Sequence, residues 1–245
     1  MRLLCKVKYK GTNYQGWQKQ PDAPTIQETI EKVLSRILNQ EITIFGSGRT
    51  DSGVHAEGQY FHFDVNKDLD IEKLRYSVNC LLPKDIFISE IKAVDESFHA
   101  RYSAKSKKYL YLIRFGERNA FNYEFETNIP YEIDVNLLSA LLKQYEGTHN
   151  FIDFTSKEED EDSYIRTIYK VETVYHPEAK QFLVTFEGNG FMRYQIRFMV
   201  GAALAVASGK ENKDYISYHL SEKPNREIVS YKAAPEGLFL VDVNY

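Results

Sequence analysis

Phe45-Gly46-Ser47-Gly48-Arg49-Thr50-Asp51-Ser52-Gly53-Val54-His55-Ala56 is the stretch around which the chain organises itself. Three glycines between positions 46 and 53 make a backbone able to take positive φ and turn sharply. Apolar Ile42-Thr43-Ile44-Phe45 runs in and alternating Gln59-Tyr60-Phe61-His62-Phe63 runs out, so the pattern predicts a tight loop between two strands. The loop displays one guanidinium, Arg49, and one carboxylate, Asp51.

Spacing removes several familiar readings of such a loop. A phosphate-cradling loop needs Lys-Ser/Thr after its last glycine, and the stretch has no lysine. A dinucleotide fingerprint needs a glycine where Asp51 stands. A serine elbow at Ser52 needs glycines where Thr50 and Val54 sit. Asp51 is left as the reactive group, nucleophile or general base; the alternative is an aspartate that only turns the loop through its own backbone.

Outward from the loop, the order of elements repeats. Arg2 to Tyr9 alternates as a strand, and Thr25-Ile26-Gln27-Glu28 has capping-box spacing ahead of Ile26, Ile30, Val33, Leu34 and Ile37 at helical period. Strands Glu41 to Phe45 and Gln59 to Val65 flank the loop, a helix Asp70 to Leu81 follows, then a strand Asp85 to Val94. Lys107 to Phe115 (strand), Asp134 to Tyr145 (helix), Ile165 to Tyr175 and Phe182 to Glu187 (strands), Phe191 to Ser208 (helix) and Leu238 to Val243 (strand) give the same order again, with an added helix Lys213 to Leu220. The expected fold is α/β (α+β): two ferredoxin-like β-α-β-β-α-β halves, residues 1–104 and 105–245, with largely antiparallel sheets meeting at a central cleft.

At 245 residues, 43% hydrophobic and 27% charged, the chain has the composition of a soluble globular protein. Its first residues acquire charge too early for a signal peptide, and the longest apolar run, Phe198 to Ala207, suits a buried helix and falls short of a bilayer. Cys5 and Cys80 show no paired spacing and the six histidines form no ligand pairs, so a reducing cytoplasm and no structural metal are expected. The net charge of −4 argues against a basic nucleic-acid footprint. Yet the run Glu158 to Asp162, which reads as a solvated loop, holds five of the 35 acidic residues and leaves 30 against 31 basic ones.

Two further constellations carry chemistry. Arg101, Lys105, Lys107 and Lys108 lie just ahead of Tyr109 and Tyr111; cations interleaved with rings suit an unstacked, phosphate-bearing nucleotide, while the same tyrosines on one strand face suit a core. Arg197 sits in a helix apolar nearly all round. It either pairs with a carboxylate, for which Asp51 is a natural partner, or reaches the surface along its stem.

Gly48 to Ala56 resembles the active-site motif of the tRNA pseudouridine synthase A family. Tyr9 to Gln18, Phe98 to Arg101, Arg101 to Tyr111, Gly147 to Phe151, Arg166 to Ile168, Phe191 to Leu204 and Gly237 to Val241 resemble further blocks of that family. Lys10 stands where an aspartate is common, Ser52 where alanine is usual, and Gln195-Ile196 replaces methionine-valine. The resemblance implies a cofactor-free isomerase that converts uridine to pseudouridine at nucleotides 38, 39 and 40 of the tRNA anticodon stem-loop, working as a homodimer whose subunits together hold one tRNA. By the same resemblance Asp51 is the essential group, Tyr109 lies against the target uracil and Arg197 salt-bridges Asp51. Arg49 would fill the space left by the extruded base or hold its phosphate, and the basic cluster would contact the RNA backbone. Two rivals fit less well. A retaining glycosidase needs a second carboxylate about 5 Å away, for which Glu57 is the nearest candidate, and an RRM-type module needs a glycine-between-aromatics signature absent from every strand.

Overall fold

The computed structural model describes all residues except 67, 157–163 and 222–225, and the acidic run Glu158 to Asp162 lies outside the described residues. The chain divides into two compact units, Met1–Lys105 with Phe239–Tyr245, and Ser106–Leu238.

The first unit contains β1 (Arg2–Tyr9), α1 (Ile26–Leu38), β2 (Phe45–Gly46), β3 (His55–Asp64), α2 (Ile71–Leu81) and β4 (Ile86–Val94). β1 pairs antiparallel with β3 and β4, and β2 pairs antiparallel with β3, giving the β4-β1-β3-β2 order of a split βαβ sheet. Leu3, Cys5 and Val7 of β1 and Phe61 and Phe63 of β3 are fully buried. α1 starts where Thr25 Oγ1 accepts from the Glu28 amide, and it buries Ile26, Ile30, Leu34 and Leu38, one helical turn apart.

The strand expected over Glu41 to Phe45 shrinks to Phe45–Gly46 for a physical reason. α1 takes the backbone groups that a strand partner would have used: the Ile42 amide donates to Ser35 Oγ (2.9 Å), the Ile44 amide to Glu31 Oε1 (3.1 Å), and the Ile44 carbonyl accepts from Gln27 Nε2 (3.3 Å). With those groups satisfied off the ladder, no sheet pairing remains to be made.

The second unit contains β5 (Ser106–Phe115), β6 (Thr127–Ile129), α3 (Val135–Lys143), β7 (Gly147–Asn150), a 3₁₀ turn (Ile152–Phe154), β8 (Ile165–His176), β9 (Gln181–Gly188), α4 (Gln195–Ala207) and α5 (Tyr215–Leu220). β5, β9, β8 and β7 pair antiparallel in that order, and β6 runs parallel to β5. Tyr111, Ile113 and Phe115 of β5 and Phe182, Val184 and Phe186 of β9 form the buried alternation, while α3 packs on β8 and α4. Every residue of α4 from Gln195 to Val206 is buried, as its all-round apolarity predicts.

β10 (Leu238–Asn244) ends the chain. Chain order placed it with the second half, whereas Phe239–Tyr245 belong to the first unit, where Phe239 and Leu240 pair parallel with His55 and Ala56 of β3. The Phe239 ring stacks on His55 at 4.7 Å, Lys6 Nζ meets Asp242 at 2.8 Å, and Tyr245 Oη donates to the Ala100 carbonyl. Since β1 occupies one edge of β3, β2 and β10 share the other, one near each end.

Candidate active site

The Asp51 loop is held by backbone bonds from a segment that arrives early in the sequence. The Trp17 amide donates to the Thr50 carbonyl (3.1 Å), the Gly53 amide to the Tyr14 carbonyl (3.4 Å), and the Val54 amide closes the turn on the Asp51 carbonyl (3.2 Å). Side chains add to this. Thr50 Oγ1 and the Tyr9 hydroxyl bond at 2.8 Å, Ser52 Oγ donates to the Tyr14 carbonyl, and Gln59 Nε2 donates to the Gly48 carbonyl at 2.9 Å. Gln59, itself fully buried, also accepts from Ser47 Oγ. Burial pushes the Tyr9 phenol well above its ordinary range, so it stays a neutral partner of Thr50.

The glycines divide their labour. Gly53 supplies the positive φ (78°), while Gly46 lies over the Trp17 ring so closely that a Cβ there would stand 2.7 Å from it. Trp17 is buried between Tyr9 and Phe61, at ring distances of 6.0 and 6.2 Å. On this fixed base the Asp51 side chain is half-buried and Arg49 is exposed, its Nε donating to Gln18 Oε1 at 3.0 Å. The expectations from the sequence omitted Gln18 and Gln59. A detectable signal existed for the latter, a polar residue in the middle of β3 directly ahead of the rings of Tyr60, Phe61, His62 and Phe63.

In the second unit, Tyr109 lies opposite Phe186 on the inward face of β5 and meets Phe191 edge-on (5.2 Å, 77°). Tyr111 belongs to the core: it is fully buried, and its hydroxyl bonds Thr127 Oγ1 and the Ala234 carbonyl, both at 2.7 Å. Arg197 is buried within α4. Its Nε donates to the Ala233 carbonyl (2.8 Å), the Ala233 amide donates back to the Arg197 carbonyl (2.9 Å), and its guanidinium lies 5.2 Å from the Tyr194 ring centroid. Its charge is felt by Tyr111 and Glu236; burial raises the Glu236 carboxyl and Arg197 partly offsets that rise.

The basic cluster is divided between the two units and, within β5, between two faces. Arg101 and Lys105 are exposed in the first unit, with Arg101 lying 5.7 Å from the Tyr102 ring. Lys107 and Lys108 are successive residues of β5, so their side chains leave opposite faces of the sheet. Lys107 shares the Tyr109 face; Lys108 sits across from Glu187, and its charge reaches Glu172. Among the described residues no three His, Cys, Asp or Glu side chains group as a metal site, and no helix is long and apolar enough to cross a membrane.

The family profile described as tRNA pseudouridine synthase matches residues 6–103 and 141–245. A curated relative from Geobacillus sp. (strain WCH70), named tRNA pseudouridine synthase A, is 39% identical over 246 residues, covering 100% of this chain and 98% of its own. A relative of the same name from Streptococcus mutans serotype c is 38% identical over 248 residues, at 100% and 99% coverage. Among solved structures, a Cbf5-Nop10-Gar1 complex aligns with 98% of this chain and 58% of that chain at 14% identity and a TM-score of 0.40, too distant to bear on the site. On the full-length matches, this chain belongs to the tRNA pseudouridine synthase family.

Proposed function

We propose that the protein isomerises uridine to pseudouridine at nucleotides 38, 39 and 40 of the tRNA anticodon stem-loop, as a cytoplasmic homodimer, with Asp51 as nucleophile or base. One observation carries this reading: a single half-buried carboxylate stands on a loop whose backbone is bonded on both sides of it. A reacting group gains from such immobility, because the geometry is set before substrate arrives.

The reaction is balanced without a redox partner. The bond from C1′ to N1 breaks, the uracil turns, C1′ bonds to C5, and the proton lost from C5 is matched by one gained at N1. Asp51 needs its charged form for either role, and Arg197 supplies the cation that favours it. Tyr109 packs on the extruded uracil. Arg49 occupies the gap in the stack or holds the phosphate, easing an unstacking cost of a few kcal/mol. Arg101, Lys105 and Lys107 contribute cations for the RNA backbone, while Lys108 leaves the other face of β5.

Tritium release from tRNA labelled at uridine C5 measures turnover, and filter binding measures the complex. Asp51→Asn keeps the shape and loses the charge, so turnover should vanish while binding survives. Appreciable turnover in that variant, or release of free uracil by the wild type, would overturn the assignment. Mapping pseudouridine in tRNA from cells with and without the gene tests the three positions.

A further inference from the structure

Four rings of the first unit touch one another in a group that the chemistry above leaves unused. Phe45 stacks on His62 at 5.1 Å and 20°, His62 meets His99 at 4.6 Å, and His99 meets Tyr102 at 4.4 Å. Phe45 also reaches His99, at 5.9 Å. His62 is buried, yet Phe45 keeps 47% of its surface exposed and Tyr102 76%.

Backbone groups fix the two imidazoles. His62 Nδ1 accepts from the Ala100 amide and His99 Nδ1 from the Arg101 amide, both at 3.1 Å. The His99 amide donates to Ser103 Oγ and its carbonyl accepts from the Ser103 amide, which closes the turn that carries Tyr102. Burial is the first cause lowering both imidazoles from their ordinary value, so all four rings are neutral at pH 7.

Two large rings left in water on one surface are informative, because burying them against a partner is favourable. The charge beside them says which partner. Phe98 to Lys105 holds two cations, Arg101 and Lys105, and no carboxylate. The exposed Arg101 guanidinium lies 5.7 Å from the Tyr102 ring centroid and forms no ion pair among the described residues. A flat, held ring next to such a cation complements a nucleotide, which offers a base with two π faces and a phosphate one sugar away. Phe45 sits in β2, whose next residue, Gly46, opens the glycine-rich stretch that carries Asp51.

We propose that Tyr102 and Phe45, backed by His99 and His62, form a stacking platform for an unstacked nucleotide of the RNA substrate, with Arg101 on its phosphate. This rests on the tRNA reading above and adds the rings to the residues that bind the substrate.

The test is filter binding of an unmodified tRNA transcript across a salt series, with sedimentation of the free protein alongside. Tyr102→Leu keeps apolar bulk and removes the ring, so affinity should fall about 5- to 100-fold. Its slope of log affinity against log salt should stay at the wild-type value, because no phosphate contact is lost. Arg101→Gln should instead lower that slope by about one. Tyr102→Trp keeps a ring and should bind as the wild type does. Its exposed indole should also lose fluorescence when tRNA is added, measured against a wild type whose one tryptophan, Trp17, is buried. An unchanged slope in Arg101→Gln overturns its place on the phosphate. A changed sedimentation of free Tyr102→Leu overturns the platform, since the rings would then lie between copies of the chain. A wild type that releases no tritium from tRNA removes the tRNA reading and the platform together. An active wild type whose Tyr102→Leu variant binds with full affinity removes the platform alone.

Discussion

Replacing Arg197 by methionine separates chemistry from packing, because the two predict opposite outcomes. The contacts of Arg197 within its own unit set the scale of the cost to folding. Lost are one charge-assisted hydrogen bond to the Ala233 carbonyl, worth about 1.5–3 kcal/mol, and the approach to the Tyr194 ring, worth up to about 2 kcal/mol when desolvated. Gained is relief from burying a guanidinium, several kcal/mol per ion, and methionine fills the space flexibly. The backbone bond from the Ala233 amide survives, since it uses the Arg197 carbonyl. The terms nearly cancel, so stability should move by no more than about 2 kcal/mol, or about 4–8 °C in melting temperature for a chain of this size. Turnover should fall much further if Arg197 serves Asp51. Removing one partner of a buried pair typically costs about 3–5 kcal/mol, which in a barrier is two to four decades of rate. With the cation gone the Asp51 carboxyl takes up a proton more readily, so residual activity should rise with pH. A double-mutant cycle with Asp51→Asn on tritium release, with melts alongside, is the decisive assay: in Asp51→Asn the second change should do little further harm. Full turnover by Arg197→Met refutes the pairing.

Gly46→Ala should lower stability by about 1–3 kcal/mol, since its Cβ would press on the buried Trp17 ring; an unchanged melt would show that the ring yields. His62 is buried and bonds the Ala100 amide through Nδ1; burial first, then the charges of His99 and Arg2, lower its pKa to about 4. The folded state therefore favours neutral His62. This stabilisation, up to about 3 kcal/mol, is fully present above the unfolded value near pH 6.5 and is lost as pH falls towards 4. His62→Asn keeps an acceptor and should flatten the pH dependence of denaturant unfolding over that window; curves of the same steepness would contradict this. Lys107→Ala should reduce the salt slope of tRNA binding by about one while Lys108→Ala leaves it unchanged, because only Lys107 shares the Tyr109 face. The reverse order would place the RNA on the other face of the sheet.

Much of this molecule is legible from residue order because its signals are local. The alternation of β1, the capping box and period of α1 and the apolar wrap of α4 each depend on neighbours within a few positions. Ile42 and Ile44 mislead for the opposite reason: their backbone partners are Ser35, Glu31 and Gln27, side chains of the preceding helix that no alternation reveals. β6 and β7, three and four residues long, are too short for a period to register. At the candidate site, Asp51 stands out by chemistry, but its clamp does not. Tyr14 and Trp17 hold the loop through main-chain atoms, which carry no residue identity. The separation of Lys107 from Lys108 was available from strand geometry alone; counting cations along the chain obscured it.

The parallel pairing of Phe239 and Leu240 with His55 and Ala56 sets a schedule for synthesis. A ribosome delivers the Asp51 loop early, yet the ring that stacks on His55, just past that loop, is made only after the whole second unit. Every residue of the second unit must emerge before the first can acquire its final strand. During that interval the outer edge of β3 near His55 lacks its partner, and an unpaired strand edge recruits whatever extended segment is nearby. Nascent chains halted short of residue 239 would thus carry the motif with an open flank, and they are the species on which a chaperone should act.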